Sequence, residues 1–166
     1  MISITVMVVQ ILYVKANLEG LSSIAAPSDH YWCFDVAGSN TDEVRRRVTV
    51  NCMDEEEVSG SRGKANLVIH FKDLKKEATV VRTTIKKKKL ESKYTDDDNG
   101  KWVPLIAFEC RGCEITKWHP ERGYIAVSEG GTVFDDVDLA DDWCEYDADN
   151  DAAVGVYDLD WKLERQ

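Results

Sequence analysis

The run Val103-Pro104-Leu105-Ile106-Ala107-Phe108-Glu109-Cys110 is a short β-rich segment, followed at once by Arg111-Gly112. Branched and aromatic side chains of this kind fit a pleated, half-buried surface. Runs 11–16, 31–36, 47–52, 66–71, 78–85, 123–127 and 154–161 share its character. In the last run Val156, Leu159 and Trp161 keep no single period, so it reads least cleanly as a strand. Turn formers separate most runs: Pro27-Ser28-Asp29, Gly38-Ser39-Asn40, Ser59-Gly60, Asp98-Asn99-Gly100 and Gly130-Gly131. Many short strands with turn signals between them predict a mainly β, antiparallel, sandwich-like protein with little helix. One or two helical turns over residues 139–146 are the exception expected.

The chain also repeats itself faintly. Gly20 and Gly112 lie 92 positions apart, and Pro27 and Pro120, like Tyr31 and Tyr124, lie 93 apart. The segments 17–44 and 108–137 carry these landmarks in the same order. This predicts one compact domain over 1–166 built from two small antiparallel β units, about 10–85 and 102–163, related by a pseudo-twofold. The polar run 86–101 is expected to be the loop that joins them. At 166 residues the chain is one domain's length.

Lys and Arg total 21 against 31 Asp and Glu, a formal net charge of −10. The acidity is local. Residues 129–166 hold 13 acids and 2 bases, net −11, whereas residues 62–93 hold 11 bases and 3 acids, net +8. A net acidic chain argues against a general nucleic-acid binder, because phosphate contacts need Lys and Arg. Lys86-Lys87-Lys88-Lys89 shows no aromatic residues interleaved in sequence, so it lacks the stacking platform of a single-strand binder. It reads instead as a soluble loop, or as a surface that pairs with the acidic C-terminal segment.

Five cysteines, an odd and irregular set (Cys33, Cys52, Cys110, Cys113, Cys144), suit reduced thiols in the cytoplasm or nucleus better than a disulfide scaffold. Residues 1–14 are uncharged and mostly apolar. They are shorter than the about 20 residues of a membrane-spanning helix and lack the positive start of a signal peptide. A buried strand is the expectation, with no membrane partner.

Two motifs carry candidate metal chemistry. Cys110-Arg111-Gly112-Cys113 has the spacing of half a zinc site, without a second pair at a recognised distance. Asp147, Asp149 and Asp151, with Asp158 at position 12, follow the alternation of a calcium loop. There, however, position 6 is Ala152 rather than Gly, and position 12 is not Glu. No nucleotide loop, nucleophile elbow or HExxH is present. Nothing assembles a nucleophile, a base and an orienting group around His30, His70 or His119. No enzyme is expected.

Several stretches together resemble the eukaryotic CXXC-motif-containing zinc-binding protein family. They are Lys15-Ala16-Asn17-Leu18-Glu19, Gly60-Ser61-Arg62-Gly63 with Asn66-Leu67-Val68, and the run from Val103 through Glu109-Cys110-Arg111-Gly112. Asp142-Trp143, Tyr146-Asp147 and Val154-Gly155-Val156-Tyr157 complete the set. The resemblance spans about residues 10–160 and implies a β-rich, pseudo-twofold fold. It also implies two C-x-x-C pairs sharing one zinc, at positions 37 and 40 and at 71 and 74. Those positions read Ala37, Asn40, Phe71 and Leu74. Structural zinc contributes folding free energy directly. Burying Phe71 and Leu74 would offset part of it, at roughly 1.5–3 kcal/mol per side chain.

The expectation is therefore a zinc-free member without cofactors: a non-catalytic, cytoplasmic protein-binding or adaptor module. The resemblance implies metal-handling partners, including a copper chaperone. The alternative is a metal-binding protein, with zinc on relocated cysteines or calcium on the loop 147–158.

Overall fold

A computed structural model describes residues 6–60 and 62–166. It contains fifteen strands among them: β1 (Met7–Glu19), β2 (Leu21–Ala25), β3 (Tyr31–Gly38), β4 (Val44–Asn51), β5 (Glu56–Glu57), β6 (Lys64–Ala65), β7 (Leu67–Ile69), β8 (Ala78–Thr83), β9 (Lys93–Thr95), β10 (Val103–Arg111), β11 (Cys113–Trp118), β12 (Tyr124–Ser128), β13 (Val133–Val137), β14 (Trp143–Asp147) and β15 (Ala152–Arg165). A single 3-10 turn at Asp96–Asp98 is the helical content among them. The fold is mainly β, with antiparallel curled sheets in a sandwich-like arrangement. Of the apolar start, residues 1–5 lie outside the described residues, and Met7 onward is strand.

The strands form a six-stranded sheet, β14-β15-β1-β10-β8-β7, and a four-stranded sheet, β13-β12-β2-β9. A three-stranded sheet, β11-β3-β4, and the small ribbon β5-β6 complete the set. The order of the six-stranded sheet is unchanged when β1 exchanges with β10, β15 with β8 and β14 with β7. The same exchange takes β2-β12-β13 onto β11-β3-β4. This is the pseudo-twofold, and its axis passes between β1 and β10, which pair antiparallel from Met7↔Arg111 to Val14↔Val103.

The two halves are not adjacent units joined by a loop. The β1–β2 hairpin of the first half pairs with β15 and β12 of the second, while β10–β11 pairs with β8 and β3 of the first. Each of the three larger sheets is completed by the other half, so neither half holds a closed core alone. The run 86–101 is likewise more than a loop. Lys93–Thr95 pairs with β2, and Tyr94 is buried with its hydroxyl 2.6 Å from the Asp98 carbonyl and 2.9 Å from that of Lys101. Asn99 clamps the backbone of Leu18, accepting from its N–H at 2.6 Å and donating to its carbonyl at 3.1 Å.

The helical turns expected over 139–146 are absent. Trp143–Asp147 forms an edge strand because β15 offers it a complete ladder, Trp143↔Val156 to Asp147↔Ala152. The irregular period of residues 154–161 has a cause too. Asp158 adopts a left-handed φ of 56°, and the register with β1 shifts between Lys15 and Asn17. A bulge moves the inward face by one residue. Val154 and Val156 face the core before it, and Leu159, Trp161 and Leu163 pack on the core after it.

The core joins the sheets through aromatic contacts. Phe34 meets Phe108 edge-on at 5.4 Å, and Trp32 lies 6.4 Å from both Phe34 and Trp118.

Candidate functional site

The two loops where the resemblance implies zinc ligands do come together. Ala37 ends the pairing of β3 with β4, and Asn40 turns the chain at φ 62°. Phe71 follows β7 and is fully buried, and Leu74 is half-buried against the core. The Leu74 N–H donates to the Phe71 carbonyl at 3.1 Å, closing a tight turn. A Cβ on Gly38 would stand 3.1 Å from the Phe71 ring, so the ring fills the space against the first loop.

Charged groups tie the loops across their outer side. Arg45 Nε donates to Glu43 Oε2, Arg45 Nη2 donates to the His70 carbonyl at 2.8 Å, and the guanidinium lies 5.5 Å over the Phe71 ring. Glu43 Oε1 accepts from the Lys72 N–H at 3.0 Å. The Arg45 hydrogen bond, with that N–H, holds the Glu43 carboxyl below its ordinary value.

Cys110 and Cys113 flank the β10–β11 hairpin, with Gly112 at φ 72° making the turn. Both are buried. Cys113 Sγ lies 3.6 Å from the Thr79 carbonyl, and Cys110 Sγ 3.8 Å from Gln10 Oε1. The contact with Cys113, and burial behind it, push the Cys110 thiol far upward. A thiol held protonated is neither a ready metal ligand nor a nucleophile. Glu109 and Arg111 pair on the outer side at 3.6 Å. In this chain Glu109-Cys110-Arg111-Gly112 is a hairpin motif.

The carboxylates of the loop 147–158 do not converge. Asp147 is buried and accepts from Thr132 Oγ1 and Asn150 Nδ2, each at 2.8 Å. Asp149 and Asp151 are exposed, while Asp158 Oδ2 accepts from Asn17 Nδ2 at 3.2 Å. Among the described residues no three His, Cys, Asp or Glu side chains form a group able to hold a metal ion.

Two arrangements escaped the sequence reading. Asp35, buried in β3, accepts from His119 Nε2 at 2.7 Å and from the Arg47 N–H at 2.9 Å. His119 Nδ1 lies 3.3 Å from Arg47 Nη1, so both ring nitrogens are occupied. His119 borders an open cleft of about 620 Å³ that Trp161, Asp141 and Asp158 also line. The one available signal was a carboxylate in the middle of an apolar run.

The second arrangement lies on the outer face of the six-stranded sheet. Tyr13 and Lys15 of β1 meet Lys162 of β15, with Trp102 just before β10. Lys162 Nζ stands 4.7 Å over the Trp102 ring and 5.4 Å over Tyr13, Lys15 Nζ 5.5 Å over Trp102, and Lys88 Nζ 5.7 Å over Tyr13. The basic run thus acquires aromatic neighbours that its own sequence lacks.

A family model described as "CXXC motif containing zinc binding protein, eukaryotic" matches residues 11–164. The chain belongs to this family. Its relatives include the bovine CXXC motif containing zinc binding protein, 30% identical over 154 residues, covering 89% of this chain and 92% of that one. A UPF0587 protein of Nematostella vectensis is 34% identical over 149 residues, covering 88% and 91%. A hypothetical protein from Plasmodium falciparum superposes with a TM-score of 0.85 at 26% identity, covering 94% of this chain and 99% of that one. Family members carry zinc and a CXXC motif in their name. The only C-x-x-C in this member is the buried hairpin pair, and Ala37, Asn40, Phe71 and Leu74 offer no zinc donor set.

Proposed function

We propose that this family member is a non-catalytic, cytoplasmic protein-binding module that docks an acidic segment of a protein partner on its Tyr13–Trp102 face. The observation that carries this reading is the set of three lysines, Lys15, Lys88 and Lys162, poised over two partly exposed aromatic rings. The ammonium groups attract carboxylates, and the rings offer apolar contact area. Lys86, Lys87 and Lys89 are exposed beside them in sequence and extend the charge.

A protein partner suits the face better than nucleic acid. Asp160 sits opposite Lys15, and Glu164 pairs with Lys162 at 3.0 Å. Carboxylates interleaved with the lysines disfavour a run of phosphates and favour a partner of mixed charge. The metal-handling proteins suggested by the resemblance, a copper chaperone among them, are the first candidates to supply such a segment.

The test is fluorescence anisotropy of a labelled Glu-rich peptide against the whole protein. Binding that weakens with salt, and weakens again in Lys15→Glu/Lys162→Glu and Trp102→Ala, supports the reading. Unchanged binding in those variants, or stronger binding of an oligothymidine than of the peptide, overturns it.

A further inference from the structure

We infer that this chain has exchanged the metal crosslink of its family for an organic one: Phe71 plugs the space between the two loops, and the Glu43–Arg45 pair clamps them together. The loops 37–40 and 71–74 still meet, although none of the four positions carries a sulfur or nitrogen ligand suited to zinc. What a shared ion would do, the side chains do in three ways.

The first is volume. The Phe71 ring is fully buried, with two of its atoms 3.1 Å from the place where a Gly38 Cβ would stand. A Cβ there would collide first with Thr41 Cγ2 and also crowd the ring, so the position before Ser39 accepts no side chain without a shift of both. The second is a bridge of charge. The Glu43 carboxylate takes Arg45 Nε on one oxygen and the Lys72 N–H on the other, so a single side chain spans both loops. The third is the lid. Arg45 donates to the His70 carbonyl at 2.8 Å while its guanidinium covers the Phe71 ring. A planar guanidinium suits this double duty of hydrogen bonding and stacking, which a lysine would not match.

These contacts join segments close to 30 residues apart, the separation of Glu43 and Lys72. They also anchor the corner to the second half of the chain, because the Ser39 N–H donates to the Gly112 carbonyl at 2.9 Å. The clamp therefore holds the β3–β4 hairpin on the six-stranded sheet without a metal. Its strength should follow ionic contacts rather than metal supply.

Three measurements test this. Protein purified without added chelator is expected to contain far less than one zinc per chain, and its melting temperature is expected to be the same with and without EDTA. One zinc per chain, or a lower melting temperature on chelation, overturns the inference. Arg45→Met and Glu43→Gln keep side-chain volume, and each is expected to lower the melting temperature by about 2–4 °C. No change in either overturns the clamp. The fourfold variant Ala37→Cys/Asn40→Cys/Phe71→Cys/Leu74→Cys is expected to give a tetrahedral thiolate spectrum with cobalt. A variant that keeps the native β circular-dichroism signal yet gives no such spectrum shows that the loops do not form a ligand site and overturns the inference.

Discussion

Asp35 accepts a hydrogen bond from Nε2 of His119 at 2.7 Å, from a strand whose pairing is bulged on both sides. The register of β3 shifts against β4 between Phe34 and Val36, and β11 shifts against β3 between Ile115 and Lys117. Arg47 stands in the left-handed region at φ 54°, which aims its N–H at the same carboxylate oxygen. Bulges re-aim side chains and are retained where a particular group must be held. Here they deliver two donors to a buried anion.

The first prediction follows from that carboxylate. The His119 hydrogen bond, followed by the Arg47 N–H, holds the Asp35 carboxyl below its ordinary value despite burial. A depressed folded value contributes stability above the unfolded value, near 3.9, and that stability is lost as pH falls through the folded one. Asp35→Asn is expected to be less stable than the native chain at neutral pH, with the gap narrowing below about pH 4. Melting curves across that range check it; a gap independent of pH speaks against the role given to Asp35.

His30 behaves in the opposite region of the pH scale. It is buried between Trp32, at 5.0 Å, and Tyr124, at 4.4 Å, and burial lowers its pKa despite a backbone contact at Gly123 and the nearby Asp29. The folded state therefore prefers neutral imidazole. Stability is complete above the unfolded value, near 6.5, and declines as pH falls below it towards the lower folded value. Between about pH 7.5 and pH 5.5 the native chain is expected to lose stability. His30→Phe, which keeps the ring packing, is expected to lose less, and denaturant melts at the two pH values compare them.

The glycine turns test the pseudo-twofold. Gly20 (φ 63°) and Gly112 (φ 72°) close equivalent hairpins, yet their surroundings differ. A Cβ on Gly20 would stand 2.6 Å from the Ala153 carbonyl oxygen, whereas one on Gly112 meets Ala78 at an ordinary 3.5 Å. Gly112→Ala is expected to cost about 1–2 kcal/mol from the left-handed backbone alone. Gly20→Ala adds a clash with main chain and is expected to cost about 1–3 kcal/mol more. Equal losses in urea titrations would contradict this asymmetry.

What could be read in advance depended on how much of each element faces the core. The runs around Phe34, Val50, Val80 and Phe108 are strands because their apolar residues pack inward. The Gly20/Gly112 spacing carries the pseudo-twofold because only a glycine suits both turns. Strands β2, β9, β11, β13 and β14, with the small ribbon β5-β6, lie outside the predicted runs: Lys93-Tyr94-Thr95 is short, and Trp143–Asp147 is a largely exposed edge with no clean alternation. The exchange of hairpins between halves was invisible because partner choice leaves no local periodicity. For the candidate sites, alternating carboxylates at 147, 149 and 151 were legible, but the hydrogen bonds that turn Asp147 inward were not. Tyr13, Trp102 and Lys162 meet only through the β1–β10 and β1–β15 pairings, so no local window contains them.

Thiol reactivity provides the last prediction. All five cysteines are free, but only Cys144, on the edge strand β14, is exposed. Cys33 and Cys52 are half-buried, and burial raises the pKa of both. Cys110 and Cys113 are shut inside the core, where Cys110 is held protonated. Reaction rate follows exposure and thiolate fraction. A thiol reagent such as dithionitrobenzoate is therefore expected to modify Cys144 first and Cys33 and Cys52 more slowly. Cys110 and Cys113 are expected to react only as fast as the protein unfolds. Cys144→Ser should remove the fast phase and leave the slowest unchanged, and adding urea should accelerate the slowest phase in step with loss of structure. Rapid modification of Cys110 or Cys113 in the folded protein would mean that the β10–β11 hairpin opens locally, and that the buried pair is not the inert hairpin element described above.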